Sequence, residues 1–582
     1  MPAALRGAGT AVVPWELQPG PACSDGPPMT GDAMSTAVSG TGHAPSGHLR
    51  RDVGFWGLMF VSLGSIIGSG WLLGALTAAT LAGPASLVSW VLAAAMLALL
   101  ALVHAELGAS YPAAGGTARF PRFVFGPLAG FTAGWMAWLQ AVTIAPIEVE
   151  ATLSYIDHIS WVSSRISILR VDGTLTPTGL VLATVFMAVF TVINLVGVKL
   201  MAETNGVAVV WKTAIPLLTV VVLISLSFHP SNFSAGGGFA PYGAHGVFAA
   251  LPAGVVFALQ GFEQAIQMAG EARHPQRDVS RAVIASMAVG TIVYLLLEVA
   301  FIGAISPENL AHGWANPVGK GDFGPYATLA VAAGAGWLAA LLYVDAVISP
   351  AGTGLVYVAT SSRISYALGR EKELPPVLGR VNLRGVPMVS ILLAFVVGLI
   401  AFLPFPSWQS LVGLVTSATA IMYAFAPVSL YALRQRDPDR PRPYRLPAYR
   451  LLSPAAFVSA NLIVYWSSYE ATWRLGVALL VGLAIFAVNR WRLPAADRGP
   501  LDARSAAWVW PWLAGLVIIG YLGRYGGNKT IPNWWDLVIV VVFAVVMYEV
   551  AEKVALNAAQ VRDLVDAEAE DLAAGPLDAT SR

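Results

Sequence analysis

A run of small residues in the first long apolar segment has the composition of an anion-binding site. Segment 53–79 contains the sequence GSIIGSGWLL, which places Ser65, Gly68, Ser69 and Gly70 close together. Glycine destabilises a helix interior by about 1 kcal/mol relative to alanine, so a helix is expected to break here. The N–H groups that start the next half-helix would then favour a negative group. We predict that these four residues bind a carboxylate; close helix packing through small residues is the alternative.

A second apolar segment, 246–270, is interrupted by polar residues in the sequence VVFALQGFEQAIQMAGE. Carbonyl groups of an unwound stretch lose their helical partners and can accept hydrogen bonds from an ammonium group. The residues expected to make this contact are Phe257, Ala258, Leu259 and Gln260. A carboxylate site in one break and an ammonium site in the other together fit an α-amino acid.

Ionisable side chains are costly in a membrane and are therefore functional candidates, and we single out those of three other apolar segments. Lys212, in VAVVWKTAIPLL, could gain and lose a proton as a cavity opens and closes, or could instead extend to the membrane surface. Glu148 and Glu150 lie about 200° apart around a helix, so they face different ways. Glu148 is the candidate for substrate contact or proton relay, with an ion pair to a neighbouring helix as the alternative. Asp345, in LLYVDAVISPAGTG, is a further candidate proton site.

The elements that must position these side chains are membrane-spanning helices. Of 582 residues, 56% are hydrophobic and 12% are charged, whereas soluble proteins carry roughly 25% charged residues. The mean hydropathy is +0.67. Segments long enough to cross about 30 Å of hydrocarbon number about fourteen. They lie at 53–79, 84–108, 126–155, 176–198, 205–228, 246–270, 281–304, 326–360, 386–404, 408–433, 451–468, 471–490, 507–523 and 534–553.

Several function classes are disfavoured by composition. The net charge is +1, which gives no basic field for nucleic acid, and Cys23 is the single cysteine, which disfavours a cysteine-based metal site. The histidines are scattered, and neither an HExxH motif nor a Walker-type glycine loop occurs. We therefore expect no enzyme, no metal and no cofactor. A channel is disfavoured because the sequence contains no stretch like a carbonyl-lined filter loop. A sensor that binds without transporting stays a minor alternative.

Arginine and lysine are concentrated in alternate connections between the apolar segments, which places both termini in the cytoplasm by the positive-inside rule. The expected organisation is a disordered tail over 1–49, a first repeat over 50–228, a second repeat over 246–434, four additional helices over 451–553 and a cytoplasmic tail over 554–582. Segments one and six each begin a group of five, so the two interruptions correspond, as in transporters built from inverted repeats. Near the helix ends, Glu106 and Glu271 are expected to pair with arginines such as Arg119 and Arg273.

Four separated motifs resemble the amino acid–polyamine–organocation family of permeases. They are GSIIGSG, HAELGASYPAAGG, GFEQAIQMAGEARHPQRDVSRAV and GREKELPPVLGRVNLRGVP, in this order. Further stretches, among them IEVEAT, LPFPSW and NLIVYWSSYEATW, resemble the bacterial aspartate–proton symporter branch. The resemblance implies an all-α, LeuT-like fold of five plus five helices, in which a bundle of spans 1, 2, 6 and 7 moves against a scaffold of spans 3, 4, 5 and 8.

The resemblance also implies roles for the candidate residues. Ser65, Gly68, Ser69 and Gly70 would hold the substrate carboxylate, and Phe257 to Gln260 would contact the amine and supply an inner gate. Lys212 would replace the sodium ion that other transporters of this fold bind, and Asp345 would share its proton or pair with it. Many relatives have an aromatic residue where Leu259 stands and a less polar one at Gln260, which favours a polar substrate.

The function expected from these features is uptake of an acidic or polar amino acid, aspartate or glutamate first, with H⁺ as the coupling ion and by alternating access. Exchange of one amino acid or polyamine for another is the alternative within the same fold. The expected location is a bacterial-type plasma membrane, which the chain crosses many times.

Overall fold

The computed structural model describes residues 53–112, 116–196, 198–319, 324–382, 385–403, 407–532 and 534–574. These residues form helices and no β-strand, and two isolated bridges join Val53 to Ala272 and Leu169 to Leu175. The helices up to the second break are α1 Phe55–Ile66, α2 Gly70–Ala82, α3 Ser86–Ser110, α4 Gly116–Phe125, α5 Pro127–His158, α6 Ser160–Ser163, α7 Pro177–Val196, α8 Val198–Leu226, α9 Gly243–Ala250 and α10 Val256–Leu259.

The remaining helices are α11 Gln264–Gln267, α12 Pro275–Ala304, α13 Pro325–Ala332, α14 Gly336–Arg370, α15 Met388–Ala401, α16 Trp408–Arg436, α17 Tyr449–Trp466, α18 Tyr469–Arg492, α19 Ala503–Ala506, α20 Val509–Leu522, α21 Trp535–Val554 and α22 Ala558–Ala574. A π-helical turn, Leu251–Val255, joins α9 to α10. The proline at position 252 lies in this turn, where the helical hydrogen-bond ladder is already altered.

Helices occupy each of the apolar segments predicted from the sequence, from a single helix in most segments to α9, α10 and α11 in segment 246–270. Nine helical stretches of the described chain are long and apolar enough to cross a membrane, and α1, α15 and the stretch Gly243–Leu259 are shorter apolar helices. The chain is therefore an all-α polytopic membrane protein. The number of crossings and the boundaries of the two repeats stay predictions.

Three helical regions differ from the sequence expectation. Helix α4 lies where a connecting loop was expected, and its apolar side, including Phe120 and Phe123, is buried. Helix α14 continues to Arg370, ten residues beyond the predicted end, because residues 361–368 contain neither glycine nor proline. Helix α22 follows α21 and buries Val561 and Val565. The predicted tail over 1–49 lies outside the described residues.

Ion pairs join the helix ends on the face that carries Arg119, Arg122, Arg434 and Arg440. Arg119 contacts Glu371 and, at 3.3 Å, Glu568 of α22. The expected pairing of Glu106 with Arg119 is wrong: Glu106 instead binds Arg434 at 2.5 Å and Arg442 at 3.5 Å. The pairing follows from the fold, because α3 packs against α16, which ends at Arg436.

Helix α5 is the central element of the structure and positions Glu148. It packs against α14, α16, α4 and α7, and its side chains are buried from Ala129 to Tyr155 almost without interruption. Helix α12 packs against α3, α8 and α1, which is the first half of one broken helix.

Candidate functional site

The first predicted break is present between α1 and α2. Helix α1 ends at Ile66, and the backbone leaves the helical conformation at Ile67, with φ −89° and ψ 81°. Helix α2 begins at Gly70. A β-carbon added to Gly68 would lie 2.7 Å from Oε1 of Glu148, so only glycine lets the carboxyl group approach this closely.

Glu148 binds the break directly. Its Oε2 accepts a hydrogen bond from the backbone N–H of Ser69 at 2.8 Å, and its Oε1 accepts one from the Ser69 hydroxyl at 3.1 Å. The start of α2 therefore holds a carboxylate, but it is a side chain of this chain, and the binding of a substrate carboxylate by Ser65, Gly68, Ser69 and Gly70 stays a prediction. The alternative of an ion pair to a neighbouring helix does not describe this contact, since both donors are uncharged.

The second predicted break follows α10. Gln260 is extended, with ψ 159°, and Gly261 has φ +119°, a conformation that favours glycine. A β-carbon on Gly261 would lie 2.8 Å from Oγ of Ser65 and 2.9 Å from the backbone nitrogen of Ile66. The two breaks therefore contact each other backbone to backbone.

The other residues predicted for the second break are buried beside the first. A β-carbon on Gly70 would lie 2.8 Å from Cα of Ala258. Leu259 is buried, and the ring of Phe257 meets that of Trp408 edge to face at 5.8 Å. Gln260 is also buried, and neither its amide oxygen nor its amide nitrogen has a hydrogen-bond partner among the described residues. An unpaired buried amide is unfavourable, so Gln260 is suited to bind a polar group of a ligand.

Glu263 lies in the second break, and the sequence alone indicates no role for it. Its Oε2 accepts hydrogen bonds from Gly261 N–H at 3.0 Å and from the Tyr423 hydroxyl at 2.5 Å, and its Oε1 accepts one from Tyr357 at 3.3 Å. Ser65, which is predicted to bind the substrate carboxylate, instead donates a hydrogen bond to the Tyr357 hydroxyl at 2.8 Å. An acidic residue two positions after the glycine of a break could have indicated such a cap.

Lys212 joins the first broken helix to α14. Its Nζ donates to the Gly64 carbonyl oxygen and to Thr353 Oγ1, both at 2.6 Å. The side chain is only 2% exposed, which excludes a lysine extending to the membrane surface. Asp345 accepts from Ser349 at 2.7 Å, and its Oδ2 has no partner among the described residues. Lys212 of α8 and Asp345 of α14 are thus both buried, but they form no direct ion pair.

Trp408, at the start of α16, is a second residue missed from the sequence. Its indole N–H donates to Ser69 Oγ at 3.1 Å, so it fixes the hydroxyl that contacts Glu148. The motif LPFPSW resembles that of relatives, but the residues around it in the sequence do not indicate that its tryptophan contacts a residue 339 positions away. Within the described part of the chain, no group of three or more His, Cys, Asp or Glu side chains is arranged to hold a metal ion.

Comparison with known proteins gives a consistent result. Residues 53–486 match the family model described as amino acid permease. The chain is 35% identical over 505 residues to the glutamate/serine transporter AimA of Bacillus subtilis, which covers 86% of this chain and 93% of that protein. It is 34% identical over 512 residues to the aspartate-proton symporter of the same organism, covering 86% and 96%. The branched-chain amino acid permease BcaP of B. subtilis is 27% identical over 454 residues, covering 75% and 92%.

Proposed function

Because this chain belongs to the amino acid permease family, we propose that it takes up an acidic or polar amino acid together with a proton, by alternating access. The observation that carries the proposal is the carboxylate bound to Ser69 at the start of α2. The same N–H and hydroxyl groups have the right chemistry for the α-carboxylate of an amino acid. Ser65, Gly68 and Gly70 complete this part of the proposed site.

The unpaired amide of Gln260 favours a substrate with a polar side chain. An amide N–H group can donate to a carboxylate or to a hydroxyl, and its oxygen can accept from a hydroxyl. Two relatives support this range by their names, one as a glutamate/serine transporter and one as an aspartate-proton symporter. Phe257, Ala258 and Leu259 form the rest of this wall, with the carbonyl groups of the break as partners for the substrate ammonium.

Lys212 supports coupling to a proton. Its ammonium group ties Gly64 of α1 to Thr353 of α14, which belong to the moving bundle and the scaffold of the proposed mechanism. If α1 tilts away during transport, the buried ammonium loses its acceptors and releases its proton, because an unpaired buried charge is strongly unfavourable. Asp345, whose Oδ2 has no hydrogen-bond partner within the described part of the chain, lies on α14 as a second proton site. The proposed orientation has both termini in the cytoplasm of a bacterial-type plasma membrane.

Uptake into reconstituted vesicles tests this function. We expect labelled glutamate, aspartate or serine to accumulate when the proton gradient points inward, with no dependence on Na⁺. Lys212→Ala should abolish accumulation while exchange of internal for external substrate persists. Lys529→Ala, a change at an exposed lysine, is the control and should transport normally. Accumulation by Lys212→Ala, or uptake that requires Na⁺, would contradict the coupling.

Exchange without a proton is the second candidate, since the same fold supports it. Vesicles preloaded with unlabelled amino acid or polyamine distinguish the two. An exchanger would take up label only when preloaded, and an uncoupler would leave that uptake unchanged. A proton symporter would take up label into empty vesicles and lose the accumulation when the uncoupler is added.

A further inference from the structure

We propose that Glu148 competes with the substrate carboxylate for Ser69, and that Glu148 takes up a proton when the substrate displaces it. This inference rests on the proposed function and adds a proton-binding step to it. The step is balanced: one carboxylate leaves Ser69 as a carboxylic acid with a proton from solvent, and the substrate carboxylate takes its hydrogen bonds.

The geometry of the contact is that of a bound ligand. Both Glu148 oxygens are used, one by the backbone N–H of Ser69 and one by its hydroxyl. The carboxyl group also lies against Gly68, where an added β-carbon would come within 2.7 Å of its Oε1. A substrate carboxylate cannot use the same two donors while Glu148 holds them.

Glu148 comes from a different helix, and this makes the contact exchangeable. The residue lies 79 positions from Ser69, on α5, so releasing the contact requires no unwinding of α1 or α2. Loss of the contact with Ser69 leaves the buried Glu148 carboxyl group without hydrogen-bond donors. This costs several kcal/mol if the group is ionised and much less if it is a neutral acid. A second carboxylate at the break adds repulsion of about 4 kcal/mol for charges 4 Å apart at an effective dielectric of 20. Both effects favour protonation of the displaced group.

The surrounding charges leave Glu148 as the group that must respond. Titratable side chains on the elements packed around it are Lys212 on α8, Asp345 and Tyr357 on α14, Tyr294 on α12, Glu263 in the second break, Tyr423 on α16, and Glu150 and Tyr155 on α5. Among these, Lys212 is the one cation; its ammonium is hydrogen-bonded to the uncharged Gly64 carbonyl and Thr353 hydroxyl, so its single charge can balance one carboxylate at the break but not two. Glu263 is held by three donors of its own. The incoming negative charge is therefore balanced most directly at Glu148.

Binding measurements on the purified full-length chain test this exchange. Binding of labelled glutamate and of labelled serine is measured across pH, and proton uptake is followed with an indicator dye in weak buffer. The wild type should take up about one proton per amino acid bound, and its affinity should rise as pH falls, by up to about tenfold per pH unit where free Glu148 is ionised. Glu148→Gln should bind at least as tightly at high pH, with no proton uptake and no pH dependence.

Glu150→Gln is the matched control, because Glu150 is buried two residues away but both its carboxylate oxygens lack partners among the described residues. It should keep the proton uptake of the wild type. If Glu148→Gln does not fold, Glu148→Asp replaces it: the shorter side chain competes less well, so affinity at high pH should rise while proton uptake remains. Loss of binding in a folded Glu148→Gln protein, or proton uptake that survives in it, overturns the inference. A wild type that binds no amino acid overturns the proposed function itself.

Discussion

Each of the two breaks contains a backbone N–H group that donates to a glutamate side chain, but the two glutamates lie in different parts of the chain. In the second break, Gly261 donates to Glu263, two residues further along the same segment. In the first break, Ser69 donates to Glu148 on another helix. A cap from the same segment moves with the break, whereas a cap from another helix can leave while the break keeps its shape.

The surroundings reinforce this difference. Glu263 is held further by Tyr423 and Tyr357, and Ser62 of α1 bonds the carbonyl of Phe262 and the N–H of Ala265, each at 3.0 Å. Among the residues that the structure describes, Ser69 alone donates hydrogen bonds to the Glu148 carboxylate. We infer that the second break is a fixed structural element and that the first is the exchangeable binding element. Substitutions should therefore affect folding at one break and ligand binding at the other.

Gly261→Ala should have the largest effect, on folding. Alanine is strained at φ +119°, and its β-carbon would lie 2.9 Å from a backbone atom of α1, which cannot move as a side chain can. Backbone strain and overpacking each cost about 1–3 kcal/mol, and their sum is a large part of native stability. We expect little monodisperse protein after purification and a strongly lowered melting temperature.

Gly413→Ala is the control for this change. Gly413 lies in α16, where an added β-carbon would enter open space beside the helix, so this variant should be as stable as the wild type or slightly more so. A stable, monodisperse Gly261→Ala protein would contradict a fixed second break.

Gly68→Ala should have the next largest effect, on binding rather than folding. The atoms nearest to its added β-carbon are the ends of the Glu148 and Thr353 side chains, at 2.7 and 3.1 Å, and both can shift. The methyl group then occupies the space of the carboxylate. Glu148 can move aside in the free protein, but the substrate carboxylate has to occupy this space to reach Ser69. Overpacking of about 1–3 kcal/mol therefore predicts roughly five- to 150-fold weaker amino acid binding, with a melting temperature close to that of the wild type. A variant that unfolds, or that binds like the wild type, would remove the distinction between the breaks.

Tyr423→Phe should lower stability without changing binding. It removes a hydrogen bond of 2.5 Å to the buried carboxylate of Glu263, and such bonds contribute about 1.5–3 kcal/mol. We expect a lower melting temperature, with the dissociation constant for glutamate or serine within about threefold of the wild type. Tyr521→Phe, at an exposed tyrosine of α20, should change neither. Weaker binding at constant stability would instead make Glu263 part of the binding site.

The positions of both breaks could be predicted from the sequence, because glycine and polar residues in an apolar segment act locally on the helix that contains them. The contacts that make the two breaks different could not be predicted from the sequence. Ser69 meets Glu148 across 79 residues, and Glu263 meets Tyr423 across 160, so these pairs depend on how the helices pack. The sequence predicts that Glu148 and Glu150 face different ways, but the side that reaches the break is set by the packing of α5.

Trp408→Phe should have the smallest effect, and its size depends on Glu148. The change keeps an aromatic ring against Phe257 but removes the indole N–H that fixes the Ser69 hydroxyl, a bond of about 0.5–1.5 kcal/mol. If Glu148 and the substrate carboxylate use the same hydroxyl, both lose the same support, and substrate affinity should change by less than about threefold. In the Glu148→Gln background the amide competes weakly, so the same change should weaken binding by roughly two- to tenfold. Equal effects in the two backgrounds, measured as dissociation constants at one pH, would show that Glu148 and the substrate do not share Ser69.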